Sequence, residues 1–548
     1  MGHLLTFYPD DPTRGKFPKW DFTWVLRSRV EKKSDYVKTY HDCIKYLSTI
    51  NNFEKVIIAT DYDTEGTVIG FITLLSVINS EELIPKLFRM KMNSLDKTEV
   101  QRAYNDLQPP DYTWFNAGIA RHEIDALFGI NLTEVFTSAV CEERGRRRMV
   151  TFGRVQSHAL KFIVDREKEI VNFKSEPYWL VEMELIINNE KYIFKHQHGE
   201  FRDYQEVTKV IADSKNAIKA VATQIEEKTE FISPPHLFSQ ETLQQEAYYK
   251  LHFNPSLTDQ IAQSLYQNSL ISYPRSGSTS IHTGVPYTKI LPELQKESVY
   301  TEYVTEIITK NYIPTSGGIV DSAHSAIFPT GNLSQPRYEK EQQLLDLIKR
   351  RFIATFLPSA IRNRIKTVFA ANNQPYELTG YKTENSGWTK AYPYIKYEET
   401  QIPTVKEGQT ADINRVYNKE LKTKPQRRYQ YASLIKEMEN NGIGTKATRS
   451  NISKGLWSRG YINYVVGEGL VPTKLGVAVI DVATQFTPQI VNVSMTAQLE
   501  RDLEKIMSGE LDRAYVTGKA KKEIEDIIKI VTETNNFKYI GKTINDIL

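Results

Sequence analysis

The chain has 548 residues, 25% of them charged and 40% hydrophobic, an ordinary globular composition at a length that calls for several domains. A net charge of +3 excludes a whole-molecule basic field, so any nucleic-acid contact has to come from local patches. The two cysteines, Cys43 and Cys141, lie far apart, which excludes a disulfide framework and a cysteine zinc ribbon and fits a reducing, cytoplasmic setting. The longest apolar run, around Val68–Ile78, falls well short of the about 20 residues a bilayer requires, and no signal peptide is evident, so no membrane partner is expected.

In chain order, Phe53–Thr60 reads as a buried parallel strand ending at Asp61-Tyr62-Asp63-Thr64-Glu65-Gly66, and Gly66–Val77 as a helix. This unit puts the carboxylates at the carboxyl end of a strand, where open α/β sheets keep their sites. If the loop stays extended, Asp61, Asp63 and Glu65 alternate onto one side, and three hard oxygen ligands suit Mg²⁺. The plainer alternative is a solvated acidic loop capping the next helix. Leu87–Met92 is strand-like and carries Arg89, either a phosphate ligand or the partner of a carboxylate. Asn116–Phe136 is helical and carries Arg121, His122, Glu123 and Asp125. Arg144, Arg146, Arg147, Arg148 and then Arg154 form the densest basic run. It is either a solvated face or a contact with nucleic-acid phosphates, and the neighbouring Gln156 and Ser157 lean slightly toward the second.

Tyr178–Phe194 and Ala217–Glu230 read as strands, and Ser239–Leu251 and Thr258–Asn268 as helices leading into Leu270-Ile271-Ser272-Tyr273-Pro274-Arg275-Ser276-Gly277-Ser278. A tyrosine hydroxyl can attack phosphorus and an arginine fork suits a phosphate oxygen, although an average tyrosine is a packed aromatic with a wet hydroxyl. His324 sits in a small-residue loop before Pro329; it is either structural or a phosphate donor and protonatable partner. Glu339–Leu357 is an amphipathic helix stopped by Pro358, Thr367–Glu399 is strand-rich again, and the chain turns helical from Ala432. Strand-rich stretches on both sides of a helical insert suggest one domain interrupted by another. Gly442-Ile443-Gly444-Thr445-Lys446-Ala447-Thr448-Arg449 opens a helix, where backbone N–H groups with Lys446 and Arg449 make an anion site or a simple cap. The P-loop spacing is absent, and no other nucleoside-triphosphate motif is present.

Together these motifs resemble the type IA DNA topoisomerases, most closely the archaeal topoisomerase I/III branch. Gly2-His3-Leu4-Leu5 looks like the family's GHLL, Asp61–Gly66 like its TOPRIM acidic motif, and Ala120–Asp125 with Gly129–Leu132 like its arginine helix. Gly153–Ser157 is similar to GRVQS, Ser272–Arg275 to the active-site tyrosine motif, Ala323–Ile327 to the AHxAI loop, and Gly442–Arg449 and Leu470–Gly476 to its C-terminal motifs. The motifs run in family order over nearly the whole chain.

The resemblance implies a multidomain α/β, α and β toroid. Its parts would be a partial TOPRIM α/β domain (1–107), a helical DNA-binding domain (108–175 and 425–515), a β-rich arch (176–234 and 360–424), a tyrosine domain (235–359) and a tail (516–548). It also implies that Tyr273 attacks a single-strand phosphodiester to form a 5′-phosphotyrosine, with Arg275 and His324 beside it. Asp61, Asp63 and Glu65 would hold Mg²⁺, and Arg89, Arg121, Arg154, Gln156, Lys446 and Arg449 would contact single-stranded DNA. The covalent link conserves the bond energy, so negative supercoils relax without ATP.

Three departures stand out. The family's first TOPRIM strand, with its Glu-Lys pair, is absent before Asp61. The expectation is therefore a separate polypeptide supplying it, an incomplete sequence, or a catalytically incomplete single-strand binder. Thr67 replaces an acidic residue, and Ser276-Gly277 replaces the usual pair after the arginine. No zinc modules or helicase region follow, so a role in a split reverse gyrase would need a helicase partner.

Overall fold

The computed structural model describes residues 3–31, 35–49, 53–78, 80–145, 147–281, 285–315, 318–321 and 324–547, without the side chains of Asp35, Ser80, Lys446 and Ala447. Gly2, Arg146, Ala323 and the Lys446 side chain, all singled out in the sequence, lie outside the described residues. The chain opens with antiparallel strands β1 (Leu5–Pro9) and β2 (Phe22–Leu26), in which Phe7 lies opposite Trp24 and stacks diagonally on Phe22 at 5.1 Å. The apolar run before the acidic loop then forms β3 (Val56–Ile58), followed by helix α1 (Thr64–Leu75) and strand β4 (Leu87–Arg89). β3 and β4 pair in parallel, Val56 with Leu87 and Ile58 with Arg89, and Ile58, Phe71, Leu83 and Leu87 fill the space beneath α1.

β3 is shorter than the predicted strand because its carbonyls beyond the ladder are taken by a side chain. The Arg89 guanidinium is 0% exposed. It donates from Nη1 to the carbonyls of Ile58 (3.0 Å) and Thr60 (2.7 Å) and from Nη2 to that of Asp61 (2.6 Å). A buried cation with its donors spent on one loop sets the path of that loop.

Helix α2 (Tyr112–Arg144) runs well past the predicted ends, starting after the Pro109-Pro110 break and closing on Gly145 in the left-handed conformation. By length and composition it could cross a membrane. Its apolar residues instead point all round into protein, as expected of a core helix. Helix α3 (Arg154–Asn172) follows it, and the late helices α8 (Val493–Ser508), α9 (Arg513–Thr532) and α10 (Thr534–Asn545) wrap α2.

Between α3 and these wrapping helices lies a barrel with an insert. Strands β5 (Pro177–Ile187), β6 (Glu190–Phe201) and β7 (Ala220–Ile232) come first. Helices α4 (Gln240–Leu251), α5 (Pro255–Gln267) and α6 (Glu339–Ala354) belong to the insert, and β8 (Ala360–Ala371), β9 (Gln374–Asn385) and β10 (Thr410–Lys422) complete the barrel. The barrel closes in the order β10-β5-β6-β9-β8-β7, around Met183, Leu185, Phe194, Phe369 and Tyr376. The insert has its own apolar core, which also takes in Trp388 and Tyr392. Helix α7 (Lys446–Ser458) then leads back into the helical core.

Residues 516–548 are not a separate tail. Val516, Ala520, Ile524, Ile540 and Ile544 belong to the same core as Phe128, Leu132 and Val135 of α2. Their short, amphipathic sequence gives no sign of its partner, because that partner lies hundreds of residues earlier.

Two outcomes are expected. A Cβ on Gly541 of α10 would lie 2.3 Å from the carbonyl oxygen of Ala139, so Gly541→Val should cost about 1–3 kcal/mol in urea unfolding by prying α10 off α2. Arg89→Ala should cost on the order of 3 kcal/mol in the same measurement, since it strands buried carbonyls, and Arg89→Lys should recover only part, an ammonium being unable to span three of them.

Candidate active site

The acidic loop is shaped by one cap and one glycine. Asp63 has extended backbone and stands before the first residue of α1, its Oδ1 accepting from the N–H of Gly66 at 2.6 Å. A Cβ on Gly66 would lie 2.1 Å from the Asp61 carbonyl oxygen, so the helix start can fold over the loop only with glycine there. Because helix begins at Thr64, the expected alternation of three carboxylates ends at Asp63. Glu65 is already on helical spacing and turns elsewhere, its oxygens meeting His3 Nε2 at 2.6 Å and His122 Nε2 at 3.2 Å. The structure therefore brings Asp61 and Asp63 together and sets Glu65 with the two histidines.

Tyr273 meets this pair from the insert. It is 1% exposed, its N–H donates to the Asn93 carbonyl at 2.8 Å, and its hydroxyl donates to Asp63 Oδ2. Seven residues earlier, at the end of α5, Tyr266 donates to Asp61 Oδ1 at 3.2 Å, and the two phenol rings pack edge to face at 5.3 Å. His324 is buried against Tyr273 at 4.6 Å between ring centres, and its Nε2 donates to the Tyr62 carbonyl at 2.5 Å. Arg275 is half-buried beside these groups.

The charges are mutually dependent. Burial and the adjacent Asp63 push the Asp61 carboxyl above its ordinary range, with Tyr266 and Arg275 pulling the other way. Burial, Asp63 and Asp61 push the Tyr273 phenol well above its ordinary range, and Arg275 opposes them. Burial works against the Arg275 charge, but Tyr273, Asp63 and Asp61 hold it firmly cationic. Burial alone would raise Glu65, but hydrogen bonds from His122 and His3 hold it well below the usual carboxylate range.

Most of the arginines expected to meet DNA have protein partners. Arg89 is sealed beneath the acidic loop, as described above. Arg154 is buried and donates to Asp125 Oδ1 from Nε (3.1 Å) and Nη2 (2.6 Å), with Glu500 3.8 Å away, and its Nη1 has no hydrogen-bond partner. Arg121 forms a two-pronged pair with Glu500 at 3.2 and 2.6 Å. Arg449 does not complete an anion cradle: its guanidinium serves the carbonyls of Ile443 and Gly444, each at 3.0 Å, and Glu241 of α4 at 3.3 Å. Gln156 is half-buried, its amide at the outer limit of hydrogen bonding to Thr151. Lys446 opens α7.

Sequence reasoning gave no site role to Tyr266, Tyr62 or His3, although His3 lies in the Gly2–Leu5 motif. Tyr62 stacks on Trp114 at 5.0 Å under the Lys91 ammonium, which also reaches Asp111 at 3.1 Å. The one available signal was an aromatic side chain held between two carboxylates.

Comparison with known proteins identifies the family. A sequence profile of the DNA topoisomerase family matches residues 109–517. The chain is 35% identical to the DNA topoisomerase 1 of Pyrococcus horikoshii, over 96% of this chain and 77% of that protein. It is 34% identical to the DNA topoisomerase 1 of Methanothermobacter thermautotrophicus, over 99% and 73%. Its fold matches the full-length topoisomerase I of Thermotoga maritima with a TM-score of 0.75 at 25% identity, covering 97% of this chain and 86% of that one. With its multidomain mixture of helical cores, barrel and α/β unit, the chain belongs to the type IA DNA topoisomerases.

Proposed function

We propose that Tyr273 is the nucleophile with which this enzyme cuts one strand of DNA, forming a 5′-phosphotyrosine, letting another strand pass and resealing the cut without ATP. The observation that carries this reading is the hydroxyl of Tyr273 donating to Asp63 with the Arg275 cation alongside. Oη attacks phosphorus, Asp63 takes the phenol proton, and the bond to the 3′ oxygen breaks; the leaving oxygen takes a proton from water to become a free 3′ hydroxyl, which later reverses the attack. A phenol this reluctant to ionise needs both an acceptor at hydrogen-bond range and a fixed positive charge where the phosphate gains negative charge. Asp63 and Arg275 are those groups. His324, packed on the Tyr273 ring and tied to the Tyr62 carbonyl, orients the phenol.

The donor set fits a magnesium ion. Asp61 and Asp63 are neighbouring carboxylates, the first with its pKa raised by burial and by the second, so these two would hold Mg²⁺, and Glu65, taken by His3 and His122, would not. When bound, the ion supplies positive charge against the carboxylates and the DNA phosphate.

Since Tyr273 is buried, DNA reaches it only after the insert parts from the acidic loop. In that open state the pairs of Arg121 and Arg154 with Glu500 and Asp125, and of Arg449 with Glu241, exchange for phosphates, with Gln156 and Lys446 beside them.

Relaxation of negatively supercoiled plasmid with Mg²⁺ and no ATP tests the reading. Tyr273→Phe should remove both relaxation and the denaturant-stable protein–DNA adduct, a loss greater than about 1,000-fold, while single-strand binding persists. A fully active Tyr273→Phe protein would refute it. Arg275→Ala should lower the cleavage rate by about 100-fold, with the adduct still detectable at long times. Chelating Mg²⁺ should abolish relaxation reversibly, and Asp61→Asn should raise the Mg²⁺ concentration needed to restore it.

A further inference from the structure

The displacement of Glu65 from the carboxylate pair leaves it in a different set of donors. Its two oxygens face two imidazole nitrogens from independent parts of the chain: His3 Nε2 at 2.6 Å, from the segment before β1, and His122 Nε2 at 3.2 Å, from α2. The three ligand atoms lie within 4.8 Å of one another. The side chains are 17% (His3), 27% (His122) and 38% (Glu65) exposed, so the cluster is held by protein and still open to solvent on one side. Trp24 of β2 orients both rings, stacking on His3 at 6.1 Å and meeting His122 edge-on at 5.3 Å, and the two imidazoles stand nearly perpendicular at 5.2 Å.

We propose that His3, Glu65 and His122 bind a divalent transition metal of the zinc type, at a site separate from the Asp61–Asp63 pair. Two imidazoles and one carboxylate are the donors that Zn²⁺ and Co²⁺ prefer, whereas Mg²⁺ favours oxygen ligands and water. Zinc–nitrogen and zinc–oxygen bonds of about 2.0–2.2 Å put donors in a tetrahedron about 3.3 Å apart. The contacts of 2.6 Å to one Glu65 oxygen and 3.2 Å to the other, with all three ligand atoms within 4.8 Å, bracket that spacing, so side-chain adjustment alone can reach it. Three protein ligands leave a fourth position to water on the open side. A bound ion would tie the N-terminal segment to the start of α1 and to the third turn of α2, and would hold Glu65 away from the two carboxylates beside Tyr273.

The test uses the full-length, metal-stripped protein without DNA, so it does not depend on Tyr273 chemistry. Co²⁺ is the probe. One equivalent should give a saturable visible absorption band that Zn²⁺ displaces and excess Mg²⁺ does not. His3→Gln and His122→Gln should each weaken Co²⁺ binding by about 100-fold or more, and Asp61→Asn should leave it unchanged. His3 lies outside the helical core, so His3→Gln keeps the test valid should His122→Gln fail to fold; in the unmodified protein Zn²⁺ should also raise the unfolding temperature, and that rise should vanish in His3→Gln. A band that survives in His3→Gln, is displaced by Mg²⁺, or never saturates would overturn the proposal.

Discussion

The hydroxyl of Tyr273 and the carboxylate of Asp63 are 210 residues apart in the chain and joined by one hydrogen bond, and the large-scale arrangement serves that contact. The bond forms across a seam made almost wholly of polar groups. Tyr273 N–H bonds to the Asn93 carbonyl, Ser269 to that of Leu95, and His324 to that of Tyr62. On the insert's other flank, Tyr248 donates to Gln430 at 2.8 Å, and Arg449 meets Glu241. The apolar cores of the insert and of the helical unit remain separate. Exchanging such hydrogen bonds for water costs only about 1 kcal/mol each, whereas splitting an apolar core would expose its full area. The enzyme can therefore open at this seam while each unit stays folded.

Electrostatics explains why the closed seam is also a poised site. Asp61 and Asp63 repel each other in a buried place, and both accept phenol hydroxyls, from Tyr266 and Tyr273. Arg89 bonds to the carbonyls of the same loop, so the loop is held by a cation at its back, and Arg275 faces the carboxylates from the front. The separation is physical: a fully buried guanidinium whose Nη hydrogens are taken by the loop fixes geometry, while a half-buried one keeps its contact with solvent.

The strand–acidic loop–helix unit and the tyrosine motif were legible because each is local: an apolar run, a cap signal, and a Pro-Arg step after the tyrosine. What the sequence did not reveal depended on distance or on a single boundary. Whether Glu65 joins Asp61 and Asp63 turns on whether the helix starts at Thr64 or at Gly66, a shift of two residues that reverses the side chain's direction. Arg121 looked like a free cation because its partner Glu500 lies 379 residues beyond it, and Arg154 because its partner Asp125 sits 29 residues back on a different helix. The length of α2 was underestimated because a helix apolar on every face has weak amphipathic periodicity, and its wrapping helices are the last in the chain.

The barrel is built from strands on both sides of the insert, and this orders events during synthesis. β5, β6 and β7 leave the ribosome with edges that only β8, β9 and β10 can cover, because β7 pairs with β8, β6 with β9, and β5 with β10. At about 5–20 residues per second, the growing chain holds those edges open for roughly ten seconds or more while the insert emerges. The insert, with a core of its own, is complete before its frame can close. The tyrosine-bearing unit, whose core takes in Trp388 and Tyr392, is thus completed after β9 has emerged and before β10 closes the barrel behind it.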